Sequence, residues 1–237
     1  MAIGPMGWIH LACVGLLLPW LAIRSAQRLP GMVPRPRLAQ FTTNLVVQAV
    51  AIILSLRVAV VEGIDLLPRH WPTPAAMALG AALLLGAWLA ARPRWRAAVA
   101  QRDPRAHYVM PRTRAERWLW AAVALAAGGG EEITYRGVMY VLWWRLTGDV
   151  VTAMLATATC FAAAHAVQGW ASMAIVGIIS LGFQGLVLFS GSLVVAVVVH
   201  VVFDLVAGYS YGRLGEELGY PVEGVAPVAA DTPLTSG

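Results

Sequence analysis

The stretch AAGGGEEITYRGVMYVLWW, residues 126–144, sets two adjacent carboxylates and a guanidinium inside a long apolar run. A charge at the centre of a membrane helix costs about 2.5–3.5 kcal/mol on insertion scales, and such residues usually mark function. The surroundings fit a membrane: 59% of the 237 residues are hydrophobic and 12% are charged, against about 25% charged in soluble domains. The chain therefore reads as an integral membrane protein. Every positive residue is Arg and none is Lys, which points to a GC-rich bacterial genome and so to a bacterial inner membrane. The pI near 9.8 does not imply nucleic acid as a partner. The Arg residues lie in loops between apolar spans, where membrane orientation explains them. Cys13 and Cys160 both fall within apolar segments and form no metal or disulfide pattern.

Working outward, apolar runs near the roughly 20 residues needed to cross a bilayer occur at 7–23, 41–62, 74–91, 116–146, 150–167, 170–189 and 192–211. The expectation is an all-α polytopic bundle of seven transmembrane helices, within a range of six to eight. These runs are too long for barrel strands, and helices satisfy their own backbone in lipid. Residues 1–211 form one membrane domain, with the polar motifs concentrated in 115–211. Residues 212–237 read as a polar, disordered cytoplasmic tail. Arg24, Arg28, Arg35 and Arg37 crowd one loop, and a second loop runs from Arg92 to Arg117 with eight Arg. The loop near 63–73 holds Arg69 with Asp65 beside it. The Arg-rich loops belong in the cytoplasm, which puts the N-terminus outside.

Three spans carry polar residues at helical spacing. Glu132 and Arg136 stand at i and i+4, directly after Glu131; Phe161 and His165 are one turn apart, as are His200 and Asp204. Polar groups at membrane depth face a bundle interior or a wet cavity, so the economical arrangement gathers all three faces around one pocket. A carboxylate there can act as general base on water, and nearby imidazoles can stabilise a developing oxyanion. Gly128, Gly129 and Gly130 allow either close helix approach or a local break. Depth is the difficulty. At 1.5 Å per residue, Glu131 falls near mid-membrane and His165 near the cytoplasmic end of its span, on the order of 10 Å apart.

EEITYR, FAAAH and HVVFD, in this order on successive membrane segments, fit the motifs EExxxR, FxxxH and HxxxN/D. The chain thereby resembles the CPBP family, the CAAX proteases and bacteriocin-processing enzymes, which are glutamate-dependent intramembrane proteases. The resemblance implies that Glu131 activates the hydrolytic water jointly with His165. It implies that Glu132 and Arg136 hold that glutamate in place, and that His200 and Asp204 stabilise the oxyanion. Eukaryotic members have Asn at the last position; an ionised Asp204 accepts hydrogen bonds and donates none.

The expected function is thus a metal-free intramembrane endopeptidase acting on a membrane-associated protein or peptide substrate. A zinc-dependent membrane protease is an alternative, since two His and one Glu make a known zinc set. A non-catalytic membrane binding protein of the bacteriocin-immunity type is another. The remaining polar positions read as structural: Glu62 as an interfacial charge, Gln184 as an interhelical hydrogen-bonding group, Trp143 and Trp144 as an interfacial anchor, and His10 and His107 as groups without a role.

Overall fold

A computed structural model of the chain describes residues 2–29, 32–68 and 71–225. Arg69 and residues 226–237, on which parts of the orientation and tail readings rest, lie outside the described residues. The described residues form helices joined by short irregular segments. Helix α1 is Pro5–Arg28, with a π turn at Cys13–Leu17. It is followed by α2 (Arg37–Glu62), α3 (Pro74–Ala100) and a 3-10 turn at Pro104–Val109. Then come α4 (Arg114–Glu131), a π-helix over Glu132–Met139, α5 (Tyr140–Thr147) and α6 (Val150–Ala164). A short 3-10 turn, Ala166–Gln168, leads to α7 (Trp170–Ser190) and α8 (Val194–Glu217).

Five of these helices, α1, α2, α3, α7 and α8, are long and apolar enough to cross a membrane. The chain is therefore an all-α integral membrane bundle, with fewer such helices than the seven spans expected. The difference lies in the motif-bearing region. Helix runs unbroken from Arg114 to Thr147, but α4 opens on Arg114, Glu116 and Arg117 and ends on Glu131. Helix α6 is apolar but only 15 residues long. Charged and polar residues stand where an ordinary span would be apolar.

Local sequence sets the helix ends. The Thr113 side chain accepts from the Glu116 backbone N–H, and the Glu116 carboxylate accepts from the Thr113 N–H, a capping box that starts α4. Asp149 accepts from the Thr152 N–H at 2.6 Å to start α6. Gly148 between them takes φ 71°, the left-handed conformation that glycine adopts without a Cβ clash. This turn resolves the depth problem. Glu131 precedes it and His165 follows it by nearly equal counts, so both lie about 25 Å along their helices from the same hairpin. The mismatch arose from placing the bilayer evenly over 116–146.

The glycine run does not break the helix. A Cβ on Gly128 would sit 2.5 Å from the Val201 side chain and 2.7 Å from its backbone N. One on Gly130 would sit 2.6 Å from Ile52. Gly128 thus admits α8 and Gly130 admits α2, on two faces of α4, and Gly129 has open space. Close approach is the correct half of the expectation.

Two packing features link the N-terminal helices to the π-helix. The Ser55 hydroxyl donates to the Ala51 carbonyl at 2.7 Å, so it accepts from His10 Nε2 at 3.1 Å and from Thr134 Oγ1 at 2.9 Å. His10 is fully buried and joins α1 to α2, contrary to its reading as a group without a role. Glu62 is likewise no exposed charge. Its carboxylate accepts from the Gly4 and Gly7 N–H groups at 3.1 and 2.9 Å and pairs with Arg145 at 3.6 Å, both side chains under a tenth exposed. It caps the first turn of α1, where the helix dipole favours a carboxylate.

The tail boundary also moves. Helix α8 continues to Glu217, with Gly212 and Gly215 buried, and Tyr220 is 2% exposed. The Tyr220 hydroxyl donates to the Asp103 carbonyl at 2.9 Å, and Arg112 donates to the Tyr220 carbonyl at 3.2 Å. Residues 212–225 are part of the folded body.

Candidate active site

The three motifs converge. Glu131, at the last position of α4, is held from α2: Gln48 Nε2 donates to Glu131 Oε1 at 2.6 Å. Its other oxygen, Oε2, lies 3.8 Å from His165 Nε2 and 3.7 Å from His200 Nε2. These separations exceed a direct hydrogen bond and suit a bridging water. His165 caps the end of α6, and its Nδ1–H donates to the Phe161 carbonyl at 2.8 Å. That bond fixes the tautomer: in the neutral ring, Nε2 is the acceptor and faces Glu131.

Glu132 does different work from its neighbour. It is fully buried, and its Oε1 accepts from His200 Nδ1 at 2.8 Å and pairs with Arg136 Nη1 at 3.2 Å. Arg136 donates from Nη2 to Ser180 Oγ at 3.0 Å, and its guanidinium stacks 4.1 Å from the Phe161 ring centre. A buried pair of this kind requires further hydrogen bonds to offset desolvation; His200 and Ser180 supply two, while Glu132 Oε2 and Arg136 Nε have no hydrogen-bond partner among the described residues. The expectation that Glu132 and Arg136 hold Glu131 therefore needs revision. They orient His200, and Gln48 holds Glu131.

Asp204 also sits differently from its expected role. Its Oδ2 is 3.8 Å from His200 Nε2, too far to fix the ring directly. Glu132 does that at the opposite nitrogen. The Asp204 backbone carbonyl accepts from Trp120 Nε1 at 2.9 Å, which ties α8 to α4 at this level. Its carboxylate lines a cavity of about 100 Å³ with His165, His200, Gln168 and Phe203. Phe161 packs against His165, tilted at 4.4 Å, and against Tyr135, edge-on at 4.8 Å.

The π-helix begins where the two carboxylates meet. Adjacent residues of an α-helix diverge by about 100°, and π turns recur at functional sites because they re-aim side chains. Here the change of helix type falls between Glu131 and Glu132, and both carboxylates reach His200.

Gln48 is a residue of the candidate site that the sequence reading missed. It lies 83 residues before its partner, in a region that showed only generic spans. The available signal was the spacing of Gln40, Asn44 and Gln48 at i, i+4 and i+8 in an otherwise apolar helix. Gln184 was expected to bond across helices. It is buried, with neither amide atom hydrogen-bonded among the described residues. Ser190 and Ser192 bond each other's turn and take no part in the site.

No three His, Cys, Asp or Glu side chains among the described residues are arranged to hold a metal ion. Both imidazole Nδ1 atoms are engaged and Glu131 commits one oxygen to Gln48, which leaves the two Nε2 atoms and Glu131 Oε2 facing one another.

No curated protein and no solved structure matches the chain significantly. Residues 113–206 match the model of the family described as type II CAAX prenyl endopeptidase Rce1-like. That span holds all seven motif residues and leaves Gln48 outside. The match spans less than half of the chain, and over these residues the chain is similar to the Rce1-like CAAX-protease (CPBP) family.

Proposed function

We propose that this protein is an intramembrane endopeptidase in which Glu131 and His165 activate a water molecule for attack on a peptide carbonyl. The observation that carries the reading is the position of Glu131 Oε2, within 3.8 Å of two imidazole Nε2 atoms while Gln48 restrains the other oxygen. Glu131 takes the proton from water as the C–O bond forms. The tetrahedral oxyanion is stabilised by His200, which donates from Nε2 when protonated, since Nδ1–H is already committed to Glu132. Collapse breaks the C–N bond, and the proton held by Glu131 passes to the leaving amine, with His165 Nε2 as the adjacent relay. Asp204, beside His200, restrains substrate or the imidazolium rather than donating to the oxyanion.

Topology and location follow the same reading. The α4–π–α5 and α6 segments complete seven crossings, the Arg-rich ends face the cytoplasm, and the membrane is a bacterial inner membrane. The test compares protein termini by mass spectrometry in cells expressing wild type or Glu131→Gln at matched levels. An endopeptidase yields a set of termini that vanishes in the variant while uncut precursors accumulate. Coincident profiles with both proteins folded contradict the reading, and binding of the immunity type then accounts for the site.

A further inference from the structure

Helix α1 meets α2 along Pro5–Ala12, but its later part, Leu18–Arg28, packs chiefly on α6 and on residues 166–168. The two helices therefore part toward the 29–36 connection. The residues at the apex, Glu131 and His165, join the two walls, since Gln48 of α2 holds Glu131 and His165 begins the 166–168 turn.

Three amides line one flank of α2 on this side: Gln40, Asn44 and Gln48, each half-buried. Around them the helix is lipid-like, with Val46, Val47, Val50 and Ile53 at 46–63% exposure. Thr42 and Thr43 are exposed and satisfy themselves by donating to the Leu38 and Ala39 carbonyls. The amides do not. Gln40 Nε2 donates to Asn44 Oδ1 at 3.0 Å. This leaves the Gln40 carbonyl as an acceptor and the Asn44 NH₂ as a donor, while Gln48 reaches Glu131 itself. Uncommitted amide groups within an apolar helix are costly unless something bonds them.

The spacing identifies a partner. One helical turn from amide to amide is a rise of about 6 Å. Backbone N–H and C=O groups on one edge of an extended peptide recur every second residue, at about 6.6–6.8 Å. We propose that Gln40, Asn44 and Gln48 form a ladder that binds the backbone of an extended peptide substrate. The peptide enters between α1 and α2 from the 29–36 end and presents its scissile carbonyl to Glu131. The ladder rests on the endopeptidase reading and adds what that reading lacks, a substrate-binding surface outside residues 113–206. Because it engages backbone, it selects extended conformation rather than side-chain sequence, as in strand addition to a sheet edge.

The test uses purified full-length protein in detergent and a library of quenched-fluorescent decapeptides. A peptide whose cleavage depends on Glu131 is resynthesised with a single N-methyl group at each backbone nitrogen in turn. The ladder predicts that KM rises about 3- to 10-fold, one hydrogen bond's worth, at isolated positions on one side of the cleaved bond, those whose N–H meets a ladder carbonyl such as that of Gln40. The neighbouring positions and kcat stay nearly unchanged. In Gln40→Leu, KM of the parent peptide rises by a similar factor and the penalty at one methylated position disappears, an effect that general destabilisation does not produce. Gln40→Met repeats the test if Gln40→Leu does not fold. Asn44→Leu, which removes a donor to a peptide carbonyl, raises KM without cancelling a methylation penalty, and Thr43→Val serves as the silent control. A contiguous or absent methylation pattern, or a pattern unmoved by loss of the Gln40 amide, overturns the ladder while leaving the protease intact. Absence of any Glu131-dependent cleavage overturns the endopeptidase reading, and the ladder with it.

Discussion

Glu131 and Glu116 sit at opposite ends of α4, and the regions around them are built to different plans. At the Arg-rich end, Glu116 Oε2 accepts from the Arg112 and Thr113 N–H groups at 2.7 and 2.9 Å, and its Oε1 pairs with Arg37 at 3.9 Å. Arg37 in turn donates to the His107 carbonyl at 3.2 Å, and His107 Nε2 donates to the Arg35 carbonyl at 3.0 Å. That region ties together the start of α2, the 104–109 turn, the start of α4 and the end of α8. At the other end of α4, Glu131 makes one short hydrogen bond, and its second oxygen faces two imidazoles beyond bonding distance. A structural carboxylate is saturated by its own protein. A carboxylate that must move a proton keeps an oxygen available for water.

This contrast predicts that variants of the first region cost stability and variants of the second cost activity. The largest effect is on chemistry: His165→Ala should lower kcat by 10²- to 10⁴-fold, the range typical for loss of a general acid or base, with thermal stability close to wild type. An equal loss of melting temperature would make His165 structural and erase the distinction. Arg136→Leu tests the boundary between the regions. It leaves the Glu132 carboxylate buried and short of a partner, so chemical denaturation should show a loss of about 3–5 kcal/mol. Gln48→Leu frees Glu131 without emptying the core. We expect kcat to fall by about 10-fold, of the order of one charge-assisted hydrogen bond, and KM to rise about 3- to 10-fold from loss of the same side chain as a ladder rung. A fall in stability with unchanged kcat would assign Gln48 to packing.

At the Arg-rich end, Arg37→Met should cost on the order of 1–3 kcal/mol and leave the kinetics of the remaining folded protein alone. The smallest effect is a pH dependence. Burial pushes the His107 imidazole below its ordinary value of 6.5, with the Arg35 carbonyl bond opposing and Arg37 adding to the shift. A folded-state value below the unfolded one means that the unfolded chain takes up the proton first. His107 thus contributes stability above pH 6.5, and that contribution is lost as pH falls through 6.5 toward the folded value. Melting curves of wild type and His107→Gln should diverge above pH 7 and converge toward pH 5; parallel curves would remove His107 from the account.

The same contrast explains what could be read from the residues alone. The central polar groups of the candidate site were legible because polar residues at i and i+4 stand out in apolar sequence, and three such pairs in order carry the family pattern. Their supports were not. Gln48 matters only through the register of α2 against α4, which Gly130 permits by admitting Ile52, and no local spacing encodes that register. The partner of Glu132 could not be read either: Arg136 at i+4 was visible, but His200 arrives from α8. Composition misplaced the tail for a related reason. Polar residues after 212 resemble linker, yet Gly212 lies so close to the Pro111 carbonyl that a Cβ there would stand 2.6 Å from its oxygen. Close packing, not hydropathy, keeps that segment in the fold.

The most direct test of the central claim is cleavage of one defined peptide by purified wild type and by Glu131→Gln, with melting temperatures measured on the same samples. The account predicts that the amide, which cannot take a proton from water, lowers kcat by at least about 10²-fold, the lower bound for loss of a general base, with unchanged melting. It also predicts that wild-type activity survives exhaustive treatment with a zinc chelator. Retention of activity by Glu131→Gln would contradict the account, and loss of wild-type activity to the chelator would replace it with metal-dependent hydrolysis.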